Sequence, residues 1–305
     1  MRKKIIIYTL CIIIFLTIIL AINVNEEQNS KFNIVTSFYP VYIATLNITD
    51  GVENVSVKNL TYNVTGCIHD FVLTTTELVT LAKADALVIN GATMEGFMDK
   101  VISNFKDLNI IDSSNGIELK HESCDGEHEE PLGHSHEINP HIFVSVKSYI
   151  KQVQNICDEL CKLDVKNKEI YEQNTREYIS NLEELDKEIA MELSELNNKN
   201  IVASHNSLDY FAKDYGLNIT GVIESEHGKA ISAGELAHII ENIKENNVQA
   251  IFVEQEYNLK MVETISKETG VSVYMLNPVT SGKNNKEEYI NIMKDNLKVI
   301  KGALS

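Results

Sequence analysis

Two hydrophobic periods alternate along most of this chain. Apolar runs at 32–37, 52–60, 86–90 and 108–112 read as strands, the second by its strict alternation and the third as a fully buried run. Between them, 39–49, 74–84 and 95–105 carry helical spacing, the first opened by Pro40 near its first turn. The order repeats after residue 200. Strands are expected at 201–203, 217–222, 250–253 and 271–276, and helices at 208–215, 233–246, 259–269 and 286–301. Gly216 and Gly270 supply stop signals after two of those helices. Strands separated by helices need crossover connections, which implies mainly parallel sheets. The expected class is therefore α/β, in two lobes.

The segment joining the halves has a different character. A helical pattern over 144–163 is followed by 164–196, a charged stretch without Gly or Pro in which Ile170, Tyr171, Tyr178, Leu182, Leu185, Ile189, Leu193 and Leu196 fall near helical spacing. A helix of about 30 residues would be about 45 Å long. Its heptads are imperfect for a coiled coil, and a rigid connector between lobes fits better. The organisation expected is a leader and linker at 1–30, an N-terminal lobe at 31–163, a connecting helix at 164–197 and a C-terminal lobe at 198–305. Residues 112–139 have no periodicity and carry Gly116, Gly126, Pro131 and Gly133, which reads as a long surface loop of the kind that is usually functional.

The leader places the rest of the chain. Arg2, Lys3 and Lys4 precede an almost wholly apolar, uncharged stretch at 5–24. That is the layout of a secretory signal, and also long enough to cross a bilayer as a helix. The basic side stays inside, so the body from Lys31 onward is expected outside the cytoplasm. The cleavage signal at 19–21 is weak, and Cys11 lacks the surroundings of a lipid-attachment site. An uncleaved anchor is favoured over a cleaved signal, and either over a lipoprotein.

Composition narrows the function. With 305 residues and 44% apolar residues the chain can bury a sizeable core, and a net charge of −17 argues against nucleic-acid binding. A monomer is expected. Of five cysteines, Cys157 and Cys161 lie four apart on a predicted helix and read as small core residues, whereas Cys67 and Cys124 lie near histidines.

Three histidines carry the candidate chemistry: His69, His141 and His205, each in a short segment that reads as a strand-to-loop junction. In open α/β sheets ligands bind outside the carboxyl ends of strands, so two facing lobes would bring His69 and His141 to one wall of a cleft and His205 to the other. Three neutral imidazoles with one further position describe a common zinc arrangement. The loop after 271–275 is the source expected for the fourth position, with Asn277 or a water there and Glu226 or Glu254 as remote charge. The loop at 113–139 adds accessory candidates, His121, His128, His134 and His136. His227 reads as a loop residue near the cleft, His238 as structural or close behind the ligands, and Tyr210 and Phe211 as core.

Several segments together resemble the metal-binding components of ABC importers for zinc and manganese, whose two lobes are joined by one long helix. They are Thr36-Ser37-Phe38-Tyr39-Pro40, His69-Asp70-Phe71, the run from Ala84 to Gly91 followed by Glu95, Asn139-Pro140-His141 (usually Asp-Pro-His), Ser204-His205-Asn206, the strand ending in Glu254, and Leu276-Asn277-Pro278. The likeness runs from about Phe32 to the end. It implies capture of Zn2+ outside the cytoplasm and delivery to an ABC permease, with Mn2+ or iron as the alternative cargo. His205, where manganese members tend to carry Glu, and the acidic histidine-rich loop resemble the zinc branch. Asn277 stands where the family usually has Asp or Glu, and Ile68 replaces the usual Pro. No catalytic residues are expected. A zinc hydrolase lacks a Glu beside a ligand, and an adhesin or zinc buffer is the remaining alternative.

Overall fold

The computed structural model describes residues 31–62, 71–98, 104–121, 138–223, 232–254 and 259–305. The leader at 5–24, Cys67, His69, Cys124, His128, His134, His136, Glu226 and His227 lie outside the described residues.

Each half builds one four-stranded parallel sheet. In the first, β1 (Phe32–Thr36), β2 (Val55–Asn59), β3 (Ala86–Ile89) and β4 (Asn109–Asp112) lie in the order β2-β1-β3-β4, with α1 (Tyr39–Ile48) and α2 (Thr75–Leu81) as crossovers. After α3 (Val146–Leu163) and α4 (Lys168–Ser194) comes the second sheet. Its strands β5 (Asn200–Ala203), β6 (Asn218–Val222), β7 (Ala250–Glu254) and β8 (Ser272–Leu276) lie in the order β6-β5-β7-β8, with α5 (Asp209–Tyr215), α6 (Ala233–Glu245), α7 (Leu259–Thr269) and α8 (Glu288–Leu304) around it. All pairings within the sheets are parallel. The two sheets thus have the same order, and each reverses direction beside its first strand, where a crevice opens at the strand ends.

The lobes share one hydrophobic core. A single cluster of buried residues runs from Ile34 and Val88 of the first sheet through α3 and α4 to Ile201, Phe252 and Leu297 of the second half. Helix α4 supplies its spine. Tyr171, Thr175, Tyr178, Leu182, Leu185, Ile189 and Leu193 are buried along one stripe, while Ile170 is 43% exposed because it falls off the 3.6-residue period. The N-terminal part of α4 binds α1, with the Asn174 amide donating to the Ile48 carbonyl at 3.0 Å. Its C-terminal part meets α5 and α8: Tyr215 donates to Asp186 at 2.7 Å, and Lys294 pairs with Glu188 at 3.7 Å.

A seam of tyrosines closes the lobes nearer the site. Tyr149 of α3 stacks on Tyr289 of α8, ring centroids 3.7 Å apart and planes 11° from parallel. Tyr149 donates to the Pro40 carbonyl and Tyr289 to the Phe143 carbonyl, each at 2.9 Å. Tyr39 donates to the Lys283 carbonyl at 2.6 Å. Burial pushes both Tyr149 and Tyr289 well above the ordinary phenol range, so both stay protonated donors.

Two expectations change, and a third is described only in part. Of the helix expected over 95–105, Gly96–Met98 is a 3-10 turn and 99–103 lie outside the described residues. Gly91, Ala92 and Thr93 before it all have left-handed backbones, φ 77°, 51° and 69°. Gly91 must be glycine: a Cβ there would lie 1.9 Å from Asp112 Oδ1. The loop expected to begin at 112 has a packed root, with Ser113 fully buried and donating to the Asn90 carbonyl at 3.0 Å. His141 sits not at a strand end but at the start of a 3-10 turn, Ile142–Val144, because three consecutive apolar side chains are all buried there.

Leu185 is 1% exposed in the shared core, so Leu185→Ala should cost about 2–5 kcal/mol. Ile170→Ala, off the buried stripe, should stay within about 0.5 kcal/mol of the parent. Denaturant midpoints of the two variants check the assigned face of α4.

Candidate functional site

Two of the three principal histidines meet where the lobes face each other. His205 follows β5 in an extended conformation, φ −148° and ψ 157°, and opens the 3-10 turn Asn206–Leu208. His141 comes from the other half, on the turn leading into α3. Their ring centroids are 4.8 Å apart, with planes at 76°. His141 is 2% exposed and also lies against Phe143, centroids 5.9 Å apart. His69 lies outside the described residues, but Phe71, two residues further on, packs against the shared core. Among the described residues no cluster of three or more His, Cys, Asp or Glu is assembled.

A pocket opens beside His205, walled by Ala203, Ser204, Phe252, Glu254, Leu276 and Asn277. All but Phe252, which lies mid-strand, come from the carboxyl end of a strand or the residue just past it, as the parallel topology demands. Glu254 ends β7, and its carboxylate accepts a hydrogen bond from Ser207 Oγ, which holds the acid against the turn that carries His205. Asn277 lies just past β8. Its Oδ1 accepts from the Val279 N–H at 2.8 Å, and Asn296 holds its backbone on both sides, accepting from its N–H at 2.9 Å and donating to its carbonyl at 2.8 Å. Val279 itself has a left-handed backbone, φ 66°. The amide of Asn277 therefore shapes this turn as well as lining the pocket.

Asn139 sits directly behind His141. Its Oδ1 receives the His141 backbone N–H at 3.0 Å and lies 2.9 Å from His141 Nδ1. Its Nδ2 donates to the Asn206 carbonyl at 2.8 Å and to Asp209 Oδ2 at 3.3 Å. Tyr210 adds a hydroxyl to the same junction, donating to the Asn139 carbonyl at 2.7 Å and accepting from the Lys120 N–H at 2.9 Å. Tyr210 is thus more than core. Its hydroxyl joins the two loops, a role that helical spacing could not reveal because it depends on a partner in the other half.

Deeper in the first lobe a polar network braces this junction. Glu95 is 3% exposed and turns back on the strand ends, accepting from Ser37 Oγ at 2.6 Å, the Asn90 N–H at 2.7 Å and the Gly91 N–H at 3.1 Å. The Asn90 amide donates to the Pro140 carbonyl at 3.0 Å, and Gln152 of α3 donates to Asn90 Oδ1 at 2.9 Å. A residue in front of the buried network, Pro140, is therefore held by the end of β3. Burial pushes the Glu95 carboxyl up to about 7, although its three hydrogen bonds pull the other way; Asp112 adds to the rise. The signal for this brace was present in the chain, as an Asn-Gly turn pair directly after a strand with an acid four residues beyond the Gly.

The remaining candidates scatter. His121 is exposed at the packed root of the long loop, in an isolated antiparallel bridge with Ile138. His238 is exposed on α6 and so is not the buried structural residue expected. Cys157 and Cys161 are buried as expected, Sγ to Sγ 3.8 Å, and burial raises both thiols, which leaves them poor nucleophiles and poor ligands.

Comparison with known proteins agrees with this architecture. The family described as zinc-uptake complex component A, periplasmic (ZnuA), matches residues 34–303. Zinc-binding lipoprotein AdcA of Streptococcus pneumoniae is 32% identical over 288 residues, covering 91% of this chain. The chain spans only 57% of that relative's length. High-affinity zinc uptake system protein ZnuA of Bacillus subtilis is 30% identical over 289 residues, covering 92% of this chain and 89% of that protein. A crystal structure of ZnuA superposes with a TM-score of 0.76 at 29% identity, covering 90% of this chain and 100% of that one.

Glu95 gives a pH test. Its ordinary value is 4.5 and its folded value about 7. A raised folded value stabilises fully below the unfolded value and is lost as pH rises through the folded one. The metal-free parent should therefore lose stability relative to Glu95→Gln between pH 4.5 and about 7, and the difference should level off above that. Denaturant midpoints of both proteins across this range give the curve; a constant difference would contradict it.

Proposed function

The chain belongs to the zinc-uptake complex component A family, and we propose on that footing that it captures zinc outside the cytoplasm and delivers it to an ABC permease in the membrane. The reading is of a binding protein and not an enzyme. The observation that carries it is the approach of two imidazoles from opposite lobes, His141 and His205, to 4.8 Å between ring centroids. The names of the relatives, a zinc-binding lipoprotein and a high-affinity zinc uptake protein, support it. They also support a body held outside the cytoplasm, for which 5–24 would serve as export signal or anchor.

In this reading His69, His141 and His205 are the ligands, with His205 in the pocket wall and the His141 ring beside it. A neutral imidazole suits zinc, copper or nickel, whereas manganese prefers oxygen donors. An all-histidine set with no carboxylate among its ligands therefore favours Zn2+ over Mn2+. It also leaves the charge of the ion unbalanced at the ligands. Glu254, in the pocket wall, supplies negative charge from close by without being needed as a ligand. Asn277 is a neutral group at the fourth position, one lone pair of its oxygen accepting from Val279, and either its second lone pair or a water completes the coordination. In this reading His121, His128, His134 and His136 gather metal weakly, as accessory groups outside the principal site.

Titration calorimetry on metal-free protein tests the ligand set. His69→Ala, His141→Ala and His205→Ala should each lower zinc affinity by orders of magnitude, and the parent should bind zinc far more tightly than manganese. Three variants that bind zinc like the parent would refute the site.

Asn277 gives a finer test. Asn277→Asp keeps the acceptor for the Val279 N–H and adds a negative charge to the pocket wall, so zinc should bind more tightly and leave more slowly. Stopped-flow release into a chelator measures this. An unchanged release rate would mean that Glu254 already balances the ion.

A further inference from the structure

We propose that Asn139 is a positioning residue for zinc capture: its side-chain amide sets the tautomer of His141 and ties that imidazole, through Asp209 and the Asn206 carbonyl, to the loop that carries His205. The proposal rests on the reading of His141 and His205 as ligands.

The orientation of the amide follows from its neighbours. Asn139 is fully buried, and Asn206 and Asp209 are each 8% exposed, so little water substitutes for a missing partner. On one side lie the Asn206 carbonyl at 2.8 Å and Asp209 Oδ2 at 3.3 Å. Both are acceptors, so the NH2 group belongs there. The amide oxygen must then face His141. It already accepts the His141 backbone N–H at 3.0 Å, and it lies 2.9 Å from Nδ1. Two bare lone pairs at that distance would repel, so Nδ1 carries the hydrogen and donates. The lone pair of the neutral ring is left on Nε2, the nitrogen that can then act as a donor to a metal. One amide thus selects the tautomer before any ion arrives.

The same amide couples the two ligand loops. Asn139 belongs to the approach to His141 in the first half, while Asn206 and Asp209 flank His205 in the second. Asp209 also has its backbone carbonyl bound by Lys120 Nζ at 3.0 Å, which draws the root of the long loop to the same place. The chain His141 to Asn139 to Asp209 puts a carboxylate one amide away from the imidazole. Its negative charge polarises the amide, strengthens the acceptor facing Nδ1–H and raises the basicity of Nε2. A carboxylate at position 139 would be a stronger acceptor for Nδ1–H, but its second oxygen would face the Asn206 carbonyl and the Asp209 carboxylate. The neutral amide is required because the charge is already at 209.

This predicts an outcome opposite to that expected for a simple carboxylate–imidazole pair. Asn139→Asp should weaken zinc binding roughly 10–100-fold, measured by competition with a chelator. Adding Asp209→Asn moves the amide to position 209 and should recover a large part of the loss. Parent-like or tighter binding by Asn139→Asp overturns the proposal, as does a double variant no better than the single one. A readout that needs no variant is the long-range proton–nitrogen spectrum of His141 in the metal-free parent: the Nδ1–H tautomer is expected, and the Nε2–H tautomer overturns the proposal. His141→Ala separates this from the wider reading. Parent-like zinc affinity there overturns the ligand assignment and the proposal with it, whereas loss there beside a parent-like Asn139→Asp overturns the proposal alone.

Discussion

The meeting of His141 and His205 depends on one constraint: two separate parallel sheets must be held at a fixed distance and angle. Neither sheet can do this alone, because the two imidazoles come from opposite sides of the cleft. The restraint comes from burial. Helix α4 lays one apolar stripe along both lobes, and the Tyr149–Tyr289 stack closes the seam nearer the site. Separating the lobes would expose a continuous core and strand the buried Tyr289 and Tyr39 hydroxyls, which now donate across the seam to the Phe143 and Lys283 carbonyls. Each such loss is expensive, since an unmade buried hydrogen bond costs about 1–3 kcal/mol. The two rings are therefore held in place by the core itself, and local changes in the loops that carry His141 and His205 are cheaper than rotation of whole lobes.

Polarity is graded from the cleft inward. The pocket wall holds His205, Asn277 and Glu254 where water still reaches. Behind it, Asn139 and Asp209 are almost fully enclosed, and behind them Glu95 lies at the ends of β1 and β3. Each layer holds the next through hydrogen bonds with few alternatives. The left-handed backbone of residues 91–93 is part of the same device. Such a run is strained for Ala92 and Thr93, and the Glu95 carboxylate offsets the strain by accepting the two N–H groups at its start.

Much of the scaffold was legible from the residues alone. Strand and helix periods gave all eight strands described here and the long α4, and Gly216 and Gly270 ended their helices with left-handed backbones, as expected. Periodicity reports which face of an element is buried, and this chain is regular enough for that to suffice. The exceptions have local causes. Glu95 folds back to cap strand ends, and the described residues directly after it, Gly96–Met98, form a 3-10 turn. Ile170 falls near the helical spacing but one position before the buried stripe, which begins at Tyr171.

The candidate site was legible in part. His141 and His205 stood out by residue type and setting, and the structure brings their rings together; Asn277 and Glu254 also reach the pocket wall. Sequence determined which residues carry suitable chemistry and which elements deliver them. Tertiary structure alone decided what those residues touch: that Asn139 faces two acceptors, that Tyr210 bonds across the lobes, that the Asn277 oxygen also accepts from a turn, and that His238 points to solvent. The physical reason is range. Backbone propensity and hydrophobic period act over a few residues and leave their mark on the chain. A hydrogen bond between residues far apart in sequence requires only a compatible donor and acceptor, and which pair is realised follows from the packing of the whole core.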